Sequence, residues 1–160
     1  MPVFLRIEGI DGESTSEQHA GWHDVFSFSW GCSNAVSPGA GGGGGAGRST
    51  FSDLNVVKPS GKGSPGLMVF CAQGRHLPAV QLEVTRYSGE REVVVQRYEL
   101  QDCSISSFQV AGDGDSAPTE SLSLNFTKIV YRQSYMLADG SVRTQFGNWD
   151  IRRSTGGWTP

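Results

Sequence analysis

The sequence predicts a mainly β protein, a closed β-barrel or a two-sheet sandwich, with one short α-helix and a long glycine-rich loop. Three observations predict it. Apolar residues recur at every second position in about eight short runs. Gly-, Asp- and Pro-rich turns separate those runs, and one stretch alone, 64–76, carries helix boundary signals. A chain of 160 residues is long enough to bury a core and fits one domain.

Taken in order, Val3, Leu5 and Ile7 alternate with Phe4, Arg6 and Glu8, the period of a half-buried strand, and Asp11, Gly12 and Glu13 turn it. A second strand is expected over 22–31, with Phe26, Phe28 and Trp30 on the core face and Ser27 and Ser29 on the other. Residues 32–48, about 17 in number, have no periodicity, which is long for a structureless connection in a compact domain. Fully extended, that loop spans roughly 55 Å and can reach a neighbouring molecule. A strand over 49–58 follows, its apolar positions supplied by Leu54, Val56 and Val57.

The helix is read from Ser64 as N-cap, Pro65 at the first helical position, Gly74 as the residue that ends it and Pro78 as the block to resumption. Leu67, Met68, Val69, Phe70, Cys71 and Ala72 leave no polar position in its middle. A helix on a sheet buries one face, so the other needs cover from a loop or a second copy, unless the helix plugs the mouth of a barrel.

Beyond it, Val80, Leu82 and Val84 alternate with Gln81, Glu83 and Thr85, and a turn at 87–90 makes a hairpin with the run 93–100. Ile105, Phe108 and Val110 belong to a separate strand ending in the turn 112–115. Leu122, Leu124 and Phe126 keep strict alternation, which changes parity after Lys128 to Ile129 and Tyr131; a bulge or a strand passing between sheets explains that. Ala138, Asp139 and Gly140 form a hairpin turn, with 144–152 pairing back.

Charged residues make up 18% of the chain and the net charge is −3, so no basic field exists to hold nucleic acid or an anionic membrane, and neither partner is expected. The first residues lack the basic and apolar regions of a signal peptide, so the chain is expected to be cytoplasmic, and any export to use no cleaved signal. The three cysteines, Cys32, Cys71 and Cys103, have no zinc spacing and read as reduced, packed thiols.

No active site is expected. The run from Gly42 to Ser49 nearly fits a phosphate-binding loop, but Arg48 replaces its lysine and strand periodicity follows it. His19, His23 and Asp24 lie close together, but residues four apart share a face only on a helix, and Trp22, His23, Asp24 and Val25 open a strand, so His19 and His23 read as solvated at an element boundary. No serine sits in a GxSxG elbow, and Glu8, Asp11, Glu13 and Asp24 are not paired by anything in the sequence. No enzyme activity, cofactor or metal is expected.

Several segments in order resemble one family. They are Phe28-Ser29-Trp30-Gly31, the loop Gly41 to Arg48, the apolar helix ending Gly74-Arg75-His76-Leu77-Pro78, Leu122-Ser123-Leu124-Asn125-Phe126-Thr127-Lys128-Ile129, and Phe146-Gly147-Asn148-Trp149-Asp150-Ile151. Their order and spacing are similar to those of the Hcp family, the haemolysin-coregulated proteins of bacterial type VI secretion, over residues 3–152. This chain has Phe28 where the family has tryptophan, and Asn148 is inserted before Trp149.

The resemblance implies a β-barrel of two antiparallel or mixed sheets with one helix against it, spanning 1–153, with 154–160 as a C-terminal tail. It also implies homohexameric rings that stack into a tube, partner with spike and sheath proteins and small effector proteins, and are themselves exported. On that reading Leu67, Val69 and Phe70 supply ring contacts. Gly39, Gly41, Gly42, Gly43, Gly44, Gly45, Gly47 and Arg48 supply the stacking loop, and Ser27 and Ser29 line the lumen. Two alternatives stand beside it: a monomeric carbohydrate-binding β-sandwich, and a barrel hydrolase using His19, His23 or a carboxylate.

Overall fold

The computed structural model describes residues 1–35 and 47–160. Gly39, Gly41, Gly42, Gly43, Gly44 and Gly45 of the expected stacking loop lie outside the described residues. The elements in chain order are β1 (Val3–Ile7), β2 (His23–Val25), β3 (Ser27–Ser29), β4 (Cys32–Asn34), β5 (Ser49–Phe51), β6 (Leu54–Pro59), α1 (Ser64–Gln73), β7 (Leu77–Ser88), β8 (Arg91–Ala111), β9 (Thr119–Asn125), β10 (Lys128–Met136), β11 (Val142–Asp150) and β12 (Thr155–Thr159).

Every strand pair among the described residues is antiparallel. One sheet runs β12-β11-β10-β8-β7-β1-β2 and a second runs β3-β6-β9-β8, so β8 belongs to both. The expected separate strands 93–100 and 105–110 are therefore one strand. Its first part pairs with β7 and β10 and its last part, from Ser104, with β9. Asp102, at φ +50°, lies at the passage from one partner to the other.

The chain also passes between sheets at Phe26 and near Lys128. The single strand expected over 22–31 is two short ones, because β2 pairs with β1 and β3 with β6. Phe26 sits at the break, 65% exposed and not in the core, and its N–H donates to the Val57 carbonyl at 2.8 Å. Of the two explanations for the parity change near Lys128, the passage between sheets is the one found: β9 pairs with β6 and β8, whereas β10 pairs with β8 and β11. Residues 32–48 are not structureless throughout, since β4 and β5 pair as a two-stranded ribbon. The residues expected as a tail form β12, which adds a strand to the edge of the first sheet.

Between the sheets the inward positions make one core. Leu5, Ile7, Val80, Leu82, Leu100 and Ile129 come from the first sheet, Leu54, Val56, Leu122 and Leu124 from the second, and Leu67 from α1. Each large aliphatic side chain so buried contributes about 1.5–3 kcal/mol. At one end Tyr98 stacks on Tyr131 with centroids 4.7 Å apart, and Trp30 meets both edge-on.

The helix starts one residue earlier than expected. Gly63, at φ +91°, is the N-cap, and the Ser64 hydroxyl instead accepts from the Gly61 N–H at 2.9 Å. Its end is as read: Gly74 takes the left-handed conformation, with Gly74 N–H donating to Cys71 O and Arg75 N–H to Phe70 O.

Candidate functional site

The helix docks by a single face. Leu67, Phe70 and Cys71 share the i, i+3, i+4 side, and Leu67 is fully buried while the other two are half-buried. Met68 and Val69 point away, 54% and 41% exposed. Leu67 is thus core, not ring surface, because its side chain is enclosed by its own subunit. Phe70 is half-covered too: the Arg75 guanidinium lies 4.2 Å from its ring centroid and Gly9 backs its edge. Of the three expected ring residues, Val69 stands free, joined by Met68, which reading the run as uniformly apolar did not single out.

Ser27 and Ser29 are both exposed on β3, on the outer side of the second sheet. Their row continues across that sheet, Ser29 opposite Asn55, Asn55 opposite Ser123, and Ser107 beyond. Side chains along it are joined: Ser123 donates to Asn55 at 2.7 Å, while Asp53 accepts from Ser106 at 2.6 Å and Asn125 at 3.0 Å. Gly47 and Arg48 are the described members of the loop. Arg48 is exposed, and a Cβ at Gly47 would lie 1.8 Å from the Ala35 carbonyl oxygen, so glycine is required where the ribbon closes.

The two histidines expected in solvent are instead buried: the 11–22 loop folds back over the first sheet and carries His19 onto Phe4, whereas His23, opposite Leu5 on β2, faces the interior. His19 is 1% exposed, stacked on Phe4 with centroids 4.2 Å apart, and its Nε2 lies 2.6 Å from Glu83 Oε2. Arg97 pairs with the other Glu83 oxygen. Ser16 and Thr85 each donate to Glu92 at 2.7 Å. Burial pushes the Glu92 carboxyl up, but those two hydrogen bonds and the nearby His19 outweigh it and hold its pKa below the usual value. His23 bonds the Ile10 carbonyl at 2.9 Å.

These contacts tie loop to sheet. Ser16 and His19 Nδ1 stand 3.4 Å apart, but the Ser16 proton is already committed to Glu92, so no free nucleophile results. Among the described residues no group of three His, Cys, Asp or Glu side chains is placed to hold a metal ion, and no helix is long and apolar enough to cross a membrane. Burial first, with Asp102 adding to it, pushes the Cys103 thiol up to about 12, which leaves it unreactive. Cys32 is exposed rather than packed, because it lies on the ribbon outside the core.

The family described as "Type VI secretion system effector, Hcp" matches residues 4–132, most of the chain. The chain belongs to the Hcp family. Protein hcp1 of Pseudomonas aeruginosa is 34% identical to it over 156 residues, covering 95% of this chain and 96% of that protein. Among solved structures, one described as a type six secretion system protein superposes with a TM-score of 0.89 at 24% identity, covering 97% of this chain and 98% of the other. Hcp1 from Salmonella typhimurium superposes with a TM-score of 0.79, also at 24% identity, covering 97% of each chain. These two establish the shared fold. Hcp proteins are structural components of type VI secretion, not enzymes, which removes the barrel-hydrolase alternative.

Proposed function

We propose that this chain is the tube subunit of a type VI secretion apparatus. Six copies close into a ring, rings stack head to tail, and the lumen carries small effector proteins until the tube is itself exported without a cleaved signal. Spike and sheath proteins of the apparatus are its other partners. The observation that carries this reading is Hcp family membership over most of the chain.

The surfaces support it. Leaving the exposed halves of Met68 and Val69 in water forgoes about 0.5–1.5 kcal/mol for each side chain that a neighbour would bury, and a closed ring supplies such a neighbour through one repeated heterologous contact. Beside the β4–β5 ribbon Arg48 is exposed, away from the core, which suits a stacking contact. Ser27 and Ser29 belong to a face of hydroxyls and amides, with the Asp53 carboxylate engaged by its neighbours, fit to line a channel.

Light scattering on the purified protein tests this. A mass near six times 17.2 kDa is expected, and Val69→Asp should give folded monomers. A wild-type monomer would favour the carbohydrate-binding alternative and overturn the ring, and a hexameric Val69→Asp would move the contact off the helix.

A further inference from the structure

His23 stands where three parts of the fold meet. Its ring is 2% exposed, and Nε2 donates to the Ile10 carbonyl at 2.9 Å. Ile10 in turn underlies the entry of α1. A Cβ at Gly63 would come within 2.7 Å of Ile10 Cγ2, 2.8 Å of the Asp11 carbonyl and 3.1 Å of His23 Cε1. The Leu67 N–H donates to the Gly63 carbonyl at 2.9 Å, the first bond of the helix. Ring, Ile10 and first helical turn therefore form one continuous contact.

The charged groups facing this ring are Lys58 from β6, Glu120 from β9 and Asp11 from the loop after β1. Lys58 and Glu120 are buried and bonded to each other, and Lys58 also donates to the Pro59 carbonyl at 2.9 Å. Glu120 Oε2 has no partner. The Glu120 charge is already matched by Lys58, so nothing buried remains to offset a second cation beside that ammonium.

We propose that His23 is an acid-sensitive latch on the entry of α1. The neutral ring ties the loop around Ile10 to the helix, and its protonation places a second cation beside buried Lys58 and lets the first turn open. Burial holds the His23 pKa below its ordinary value of 6.5; the hydrogen bond to Ile10 opposes this, Lys58 adds to it, and Glu120 and Asp11 oppose it more weakly. An unfolded or opened histidine takes up a proton near 6.5, the latched one only at lower pH. The latch is therefore complete above about pH 6.5, and its stabilisation is lost as pH falls from there towards the folded pKa, by up to about tenfold in the opening equilibrium per pH unit.

Amide hydrogen exchange on the whole chain tests this, read as protection factors at Leu67 and Met68 at pH 7.5 and 5.5. Wild type should lose protection at the lower pH, by up to about tenfold. His23→Gln, whose amide can still donate to Ile10 but does not titrate, should lose none. Equal losses in both proteins, or none in wild type, would overturn the latch. If His23→Gln does not fold, NMR titration of the wild-type ring decides instead, and a folded pKa of 6.5 or above overturns it. Light scattering at both pH values keeps this separate from the ring. Helix loosening in a protein that is monomeric at both pH values supports the latch and counts only against the ring.

Discussion

The outer faces of the two sheets differ in kind although their inner faces share one aliphatic core. On the first sheet, charged pairs stand in line: Glu83 with Arg97, Glu99 with Arg132 at 2.8 Å and Lys128 with Asp150 at 3.8 Å. On the second, Ser27, Ser29, Asn55, Ser121, Ser123 and Gln109 occupy the outward positions, and the carboxylate of Asp53 is engaged by Ser106 and Asn125. Folding constrains the inward residue of each pleat and leaves the outward one free to serve another end. A face whose hydroxyls and amides bond one another holds passing molecules weakly. A face of charges discriminates between them and, where it is covered, fastens a loop. That is the physical case for placing the lumen on the second sheet.

The contrast can be broken at its strongest point, Glu83. Glu83→Ala leaves His19 without its acceptor and Arg97 without its carboxylate, and should lower stability by about 3–5 kcal/mol in urea unfolding; a loss within the range of a surface pair, about 0–1 kcal/mol, would make that network ordinary solvated charge. Asp53→Ala removes the acceptor of two half-exposed bonds on the other sheet and should cost about 1 kcal/mol by the same measurement. A cost as large as that of Glu83→Ala would erase the distinction. The smallest effect on folding is expected for Ser29→Glu, within about 0.5 kcal/mol, since its side chain enters solvent. The same substitution sharpens the functional side of the comparison: at matched concentration, variant rings should retain less effector in a pull-down. Unchanged recovery would take Ser29 off the lumen, and loss of the ring would put it in the wall.

Much of the second sheet was legible from alternation. Leu54, Val56, Leu122 and Leu124 point inward as their spacing required, and Ser27 and Ser29 outward. Phe26 defeated the same rule, because the chain leaves one sheet there and a break in pairing resets which side is inside. The helix face was hidden for a related reason. Six consecutive apolar residues have no stripe, so only the position of β8 beneath them selects Leu67 for the core and leaves Met68 and Val69 outside. His19 and His23 carried no local sign of burial, since their partners Glu83 and Ile10 lie 64 and 13 residues away in the chain.

By itself the sequence determined the β class, the one helix and its glycine end, the hairpin turns, the absence of a basic field and, through motifs spread over most of its length, the family. These rest on near neighbours: pleat alternation, helix termini and turn geometry act within a few residues. Only the tertiary structure decided that β8 is one strand serving two sheets, that 155–159 pair as an edge strand, and that His19 and His23 are buried. Each of those depends on contacts between residues far apart in the chain, whose energies no local pattern encodes.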